Sequence, residues 1–291
     1  MSDPKGKIID EIRKGKIDLR RGLLGINLES QNLQEMNFKE AVMMGSSFSK
    51  SNLKGAVFLK AVIMGADFSD AVLAKTDFRY SSAMGAHFDR ADLNEADLRY
   101  ASLGGAFFPN AICLRADFRA STLSGAIFEN ANMVESRLED AIFTEACLVN
   151  AKMMKATVKN TDFTRADLLG ADLHGITFDE RTLRSVVNSY NWDKAHWDEK
   201  EKAKATQLFD ASEKKVEIPE DTSPHRVYVK CRTCGVEFYA GIVVNPRSFA
   251  TSVFRGNIHQ CPNGHRHAYD KEDYVLKKMV KDTEQTRKPL H

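Results

Sequence analysis

A period of five residues governs more than half of this chain. Counting in fives from Leu28 returns Leu28, Leu33, Phe38, Met43, Phe48, Leu53, Phe58, Ile63, Phe68, Leu73 and Phe78, and the series runs on to Phe178. Two residues before nearly all of them lies a small side chain, as at Ala56, Ala61, Ala66, Thr76, Ser81 and Ala171. The stretch from 26 to 180 holds 155 residues, or 31 units without a slip in register. A helix repeats its apolar face every ~3.6 residues and a strand every ~2, so five fits neither. A fixed period sustained this long is the signature of a solenoid.

A second period of 20 fixes the shape. Gly45, Gly65, Gly85, Gly105 and Gly125 recur at that spacing, as do Phe48, Phe68, Phe88, Phe108 and Phe128. Twenty residues are four units, so each coil has four sides and residues 20 apart stack. The large apolar residue and the small one point into a narrow shaft, and the other three positions face water. At a sheet-like rise of about 4.8 Å per coil, the nearly eight coils make a rod on the order of 37 Å long.

Ala91-Asp92-Leu93, Ala96-Asp97-Leu98, Ala116-Asp117-Phe118, Ala166-Asp167-Leu168 and Ala171-Asp172-Leu173 are the cleanest copies of the unit. In these the chain resembles the pentapeptide-repeat family, whose pattern is Ala-(Asp/Asn)-Leu-x-x. The resemblance implies that family's fold, a right-handed four-sided β-helix. It implies no single activity, because members range from DNA-like proteins that protect topoisomerases to secreted effectors, and it brings no catalytic motif.

The regions flanking the repeat read differently. Formal charge is +3 over 1–25, −6 over 26–180 and +5 over 181–291. Residues 5–14 read as a short amphipathic helix through Ile8, Ile9 and Ile12, ending at Gly15, and residues 1–25 as a cap on the open shaft. Beyond the repeat, 181–224 reads as helical cap and linker. Leu183, Val186, Val187 and Tyr190 recur at helical spacing, and Asp193 to Lys215 reads as a second helix with Trp192 and Trp197 packed on the last coil. Pro219 and Pro224 mark a linker at 216–224. The start is polar, no membrane span is apparent, and five cysteines outside any disulfide-like framework suggest a reducing compartment, the cytoplasm.

Residues 225–291 carry the only explicit chemistry. Cys231-Arg232-Thr233-Cys234-Gly235 is a metal knuckle, and Cys261-Pro262-Asn263-Gly264-His265 follows at a distance that suits a second hairpin. Two ligand pairs on separate hairpins are what a tetrahedral Zn2+ site needs in a domain too small for a core. This segment resembles a zinc ribbon, with strands at Arg226–Lys230, Val236–Tyr239 and Ile258–Gln260 and a basic helix over Lys271–Lys288. The second pair is Cys-x3-His instead of Cys-x2-Cys, so His259 and His267 stand as rivals to His265 for the fourth ligand. A set of three thiolates and one imidazole is closed, which makes the zinc structural.

Two surfaces stand out as binding candidates. Met44, Met64 and Met84 stack in an outward column beside the glycines, and Phe107, Ile127 and Cys147 point outward on the adjoining side. Contiguous exposed apolar surface is unusual, so Met44, Met64, Met84, Phe107 and Ile127 form a candidate protein-docking strip. In the C-terminal segment Lys230, Arg232, Arg247, Arg255 and Arg266 lie among aromatics, a mixture suited to phosphate contact and base stacking. The acidic residues of the rod raise a DNA-mimic alternative, but they are interleaved with Lys39, Lys50, Arg79, Arg90, Arg99 and Arg115. The sequence therefore reads as a non-enzymatic scaffold with a protein partner. A nucleic-acid role, through the ribbon or through a rod lying in a topoisomerase's DNA groove, is the alternative.

Overall fold

The computed structural model describes residues 4–14 and 16–212, and beyond them 225–230, 237–244, 257–260, 266–269 and 274–278. The chain divides into two compact units, Met1–Ser212 and Glu213–His291. The predicted linker at 216–224 lies outside the described residues.

The first unit is a four-sided β-helix. Each repeat contributes one residue to a parallel bridge with the residue 20 further on, from Asn27↔Ser47 through Lys152↔Asp172. The unit Ala96–Tyr100 accounts for how this backbone is satisfied. The N–H of Asp97 donates down to Thr76 O at 2.9 Å, and those of Leu98 and Tyr100 donate up to Asp117 O and Arg119 O at 2.7 and 3.1 Å. The Ala96 N–H closes the preceding turn on Leu93 O at 3.0 Å. The fifth donor, Arg99 N–H, is taken by the Asp97 carboxylate at 3.2 Å. Asn37, Asp67, Asp77, Asp117 and Asp162 serve the same role in their own units. A backbone that leaves no buried polar group unpaired requires this accounting, and it explains why Asp or Asn recurs before the large apolar residue.

The turn also sets the fifth position. From Gly25 to Gly175 every fifth residue has positive φ, most of them non-glycine, as at Lys60 (57°), Tyr80 (57°) and Arg115 (53°). The N–H of the next residue donates to the carbonyl two residues before the positive-φ position, as Ala61 N does to Phe58 O across Lys60, which is the pattern of a type II turn.

The shaft is filled as the period requires. Phe38, Phe58 and Phe78 stack from one side and Phe48, Phe68, Phe88, Phe108 and Phe128 from the opposite one. The Phe38–Phe58 and Phe48–Phe68 centroids are 4.8 Å apart, the rise of one coil. Rings from the two sides meet edge to face, as Phe58 and Phe68 do at 5.6 Å, the geometry aromatic quadrupoles favour. At Ser46, Ser51, Thr76 and Thr161 the hydroxyl of the small residue donates to a carbonyl of the coil below, as from Ser51 to Leu28 O and from Thr161 to Leu138 O.

Helices lie at both ends of the repeat. α1 (Pro4–Arg13) buries Ile9 and Ile12 in the cluster that holds Leu28 and Leu33. α2 (Glu180–Val187) buries Leu183, Val186 and Val187. Its N-cap, Asp179, accepts from Arg181 N, Thr182 N, Thr182 Oγ1 and Asn160 N, and so joins the helix to the coil below. The chain then regains the coil edge, with Tyr190 bridged to Asp167 and His196 to Asp172. Trp197 packs on Phe178 and donates its indole N–H to Trp192 O at 2.8 Å. The second helix begins later than its composition suggests: α3 is Glu199–Ser212, because Trp192–Lys194 form a 3-10 turn and His196 is committed to the coil.

The outer surface carries an ion-pair ladder on one side. Asp77, Asp97 and Asp117 alternate with Arg79, Arg99 and Arg119, each Arg binding the Asp two residues before it at 2.7 Å. Arg79 and Arg99 also lean on the Asp of the next coil, and Arg137 reaches Asp117 at 3.6 Å. Tyr80 and Tyr100 stack beside the ladder at 4.8 Å.

In the second unit, β1 (His225–Lys230) lies between β2 (Glu237–Val244) and β5 (Tyr274–Lys278), antiparallel to both. β3 (Asn257–Gln260) and β4 (Arg266–Tyr269) form a separate antiparallel pair. Within the predicted helix over Lys271–Lys288, the described residues Tyr274–Lys278 are the strand β5 instead. Tyr274, Val275 and Leu276 are good strand formers, and β1 offers them an edge where Tyr274 pairs with Val229 and Leu276 with Val227. β2 runs on past Tyr239, where the predicted strand ends, to Val244.

Two outcomes follow. Phe88→Ala, which removes a ring stacked on both neighbours and leaves a cavity, is expected to lower unfolding free energy by about 3–5 kcal/mol in denaturant titration. The second concerns acid. Burial pushes the Asp77, Asp117 and Asp179 carboxyls up, but hydrogen bonds and charge from Arg79, from Arg119 and Arg137, and from Thr182 and Asn160 respectively more than offset it. All three sit below the ordinary carboxylate value. Their contribution is thus complete above the unfolded pKa of about 4 and is lost as pH falls through the lower folded values. The melting temperature should be level from neutral pH to about 4 and drop below it, and Asp179→Asn should flatten part of that drop.

Candidate interaction surface

Three of the rod's four corners carry charge. One combines Arg79, Arg99 and Arg119 with the exposed tyrosines. A second carries Asp89, Arg90, Asp70 and Lys50, with Arg90 bidentate on Asp70 at 2.7 and 2.8 Å. On the third, Lys75 and Arg115 pair with Glu95, and Arg115 with Glu135. Because these acids are paired with cations, the rod does not present the uninterrupted negative rows that a groove built for phosphate would recognise.

The fourth corner carries no charge through six coils. Its first column is Leu24, Met44, Met64, Met84, Gly104 and Ser124, and its second is Gly25, Gly45, Gly65, Gly85, Gly105 and Gly125. Backbone hydrogen bonds from Gly45 to Met64 O, from Gly65 to Met84 O and from Gly85 to Gly104 O hold these columns in line. Leu24, Met44 and Met84 are 67%, 39% and 43% exposed. The columns on either side are apolar in part, with Ser82 and Ser102 following Val62 in one and Ser47, Asp67 and His87 preceding Phe107 in the other. Val42 and Val62 bridge on one side, and Phe107 and Ile127 bridge on the other, with His87 stacked on Phe107 at 4.5 Å.

The predicted docking residues Met44, Met64, Met84, Phe107 and Ile127 therefore fall in one place, flanking one corner. Sequence reasoning passed over Leu24, Val42 and Val62, although the same count in fives brings them to this corner. It also left the glycine column without a role. An added Cβ at Gly45, Gly65, Gly85, Gly105 or Gly125 would meet nothing within 4 Å. The same φ is held by lysine, arginine and tyrosine elsewhere on the rod. Packing within the chain does not demand glycine there, and its effect is a bare, flat strip beside a raised one.

Cys231, Cys234, Cys261 and His265 lie outside the described residues, as do Arg232, Arg247 and Arg255. Lys230 ends β1 and Arg266 begins β4. Residues 231–236 join the paired strands β1 and β2, and residues 261–265 join β3 and β4. His259 and His267, the rival ligands, are register partners across β3 and β4. Among the described residues no group of three or more His, Cys, Asp or Glu is placed to hold a metal ion. No described helix is long and apolar enough to cross a membrane.

Comparison with known proteins bears on the first unit. Pentapeptide repeats are matched in eight copies, over residues 23–58 and, in overlapping segments, 85–179. No curated protein matches the sequence. Among solved structures, QnrB1, a plasmid-mediated fluoroquinolone resistance protein, is similar at 18% identity over 66% of this chain and 97% of its own, with a TM-score of 0.37. HetL, a pentapeptide repeat protein involved in heterocyst differentiation regulation in Nostoc sp. strain PCC 7120, is similar at 20% identity over 66% and 93%, with a TM-score of 0.26. A pentapeptide repeat protein of the Arabidopsis thaliana thylakoid lumen is similar at 22% identity over 55% and 76%, with a TM-score of 0.19. The five-residue turn, the stacked coils and the matched repeats agree that the rod of this chain is built of pentapeptide repeats.

Proposed function

We propose that this protein is a non-enzymatic scaffold whose rod docks a protein along its uncharged corner. The observation that carries this reading is the contrast between corners: three are lined by paired charges, and the fourth is uncharged through six coils, with methionine stacked beside bare glycine in three of them. Apolar surface of that continuity is a place where another surface sits. Methionine suits it, being flexible and polarisable enough to fit a partner's contours. In this reading α1 and α2 close the two ends of the shaft, which would otherwise expose unpaired edges. The second unit holds a structural Zn2+ through Cys231, Cys234, Cys261 and His265 and recruits a second partner. Its support is the pair of antiparallel hairpins, each of whose connections carries one of the two proposed ligand pairs. In this reading the protein works in a reducing compartment, the cytoplasm, which its five cysteines outside any disulfide-like framework support.

The full chain, compared with a Met44→Gln/Met64→Gln/Met84→Gln/Phe107→Gln variant, tests the reading by affinity capture at low and moderate salt. The variant should melt within about 2 °C of the parent and lose the protein that the parent retains at both salts. Undiminished capture by the variant would contradict the docking strip. Capture of nucleic acid that weakens steeply with salt would replace the scaffold with the nucleic-acid reading. Native mass spectrometry of the same material should find one zinc per chain, absent after Cys231→Ser, and a folded zinc-free second unit would contradict the metal site.

A further inference from the structure

The fourth residue of each unit has an N–H that the inter-coil ladder does not use. Arg99 shows where it points: outward, onto the face beside the second residue, where the Asp97 carboxylate accepts it at 3.2 Å. Asp or Asn closes the same bond on each of the three charged corners, as at Lys54 on Asn52, Ser69 on Asp67 and Arg119 on Asp117. On the uncharged corner these acceptors are replaced. The second residues there are Val42, Val62, Ser82, Ser102 and Thr122, and the amides of Met44, Met64, Met84, Gly104 and Ser124 find no acceptor among the described residues. A serine or threonine oxygen lies one atom nearer the backbone than an aspartate's and does not close the bond here. Five free donors therefore stand in line, about 4.8 Å apart.

In the coils of Ser102 and Thr122 the line becomes a concave site. Position 104 has no side chain and neither has 105, while Met84 rises below, 43% exposed, and Ser124 stands above. Packing does not demand this gap. Gly104 lies outside the left-handed region, and an added Cβ would meet only Ser124 O, at 3.7 Å, an ordinary contact. The hydroxyls of Ser102 and Thr122 flank the notch beside the amides of Gly104 and Ser124. The columns on either side, Tyr80, Tyr100 and Ala120 on one and Gly85, Gly105 and Gly125 on the other, add no carboxylate. Arg79, Arg99 and Arg119 are turned away onto their own aspartates.

We propose that the notch at Gly104 binds a tetrahedral oxyanion, phosphate or sulfate, either free or as the monoester of a larger ligand. Backbone N–H groups that face one concavity attract anions through their own dipoles, without a cation. The Gly104 and Ser124 amides can each donate to a different oxygen of one ion at about 2.9 Å, and the Ser102 and Thr122 hydroxyls can donate to the others. A site of neutral donors on an open surface holds a free ion at about millimolar strength. It lies past the end of the methionine column and stands whether or not a protein docks there.

Nuclear magnetic resonance of the nitrogen-15-labelled full chain tests this by titration with inorganic phosphate, with sodium chloride holding the ionic strength constant. Saturable shifts are expected at the amides of Gly104 and Ser124, smaller ones at Met84, and none at Arg99 and Arg119, whose amides already have an acceptor. Ser102→Asn should weaken binding about tenfold or more, because the new side chain takes the Gly104 amide as Asn52 takes that of Lys54. Ser102→Asp should abolish binding by adding a like charge. Both residues are ordinary at this place in the repeat, so both variants should melt no lower than the parent. O-phosphoserine bound about tenfold more tightly than inorganic phosphate would identify a monoester as the ligand, and equal affinity the free ion. Absence of saturable shifts at Gly104 and Ser124 overturns the proposal, as do equal shifts at Arg99 and Arg119 or undiminished binding by Ser102→Asn.

Discussion

The rod depends on one backbone turn, made every five residues, that sends each coil's amides up and down the axis instead of along the chain. The turn needs a left-handed residue at its fifth position, and the chain supplies one from Gly25 to Gly175, mostly without using glycine. A non-glycine residue in that conformation costs about 1 kcal/mol, so the strain recurs in most units. What offsets it is cooperative: each turn places a large apolar residue on its counterpart 20 residues away and completes hydrogen bonds to the coils on both sides. A single unit would gain neither, which is why repeats of this kind are stable only when stacked.

That dependence divides the outer surface into two kinds of position. The bridge position is constrained when its Asp or Asn must accept the amide two residues on, and the charged ladder from Asp77 to Arg137 grows out of this constraint. The side chains of the two corner positions point away from the shaft, and beyond the left-handed backbone of the second one the fold asks nothing of them, so their chemistry is available for function. Three corners spend that freedom on ion pairs exposed to solvent, each worth little in stability. The fourth spends it on methionine and glycine, and the function proposed for the rod lies in that difference.

Much of this was legible in the sequence because period and structure coincide. Counting in fives identifies the shaft residues, and counting in twenties brings Met44, Met64 and Met84 into one column and Phe107 and Ile127 into the next. The reason for Asp97 before Leu98 was not legible, because the bond it makes is to a backbone amide that the residue pattern does not display. Nor was the meaning of Gly105, which required seeing lysine and tyrosine adopt the same φ elsewhere. The segment Tyr274–Lys278 was misread as helix because a short apolar run fits either period, and only its pairing with β1 decides between them.

Residue-resolved amide hydrogen exchange across the rod tests the repeating turn most directly. The account predicts protection with a period of five: slow exchange at Asp97, Leu98 and Tyr100, where inter-coil bonds form, and slow exchange also at Arg79, Arg99 and Arg119, whose amides are held by an Asp side chain. The amides of Met64 and Met84, in the same position of the turn but without that acceptor, should exchange close to the rate of an unfolded chain. Uniform protection through each unit, or fast exchange at Arg99 equal to that at Met84, would contradict it.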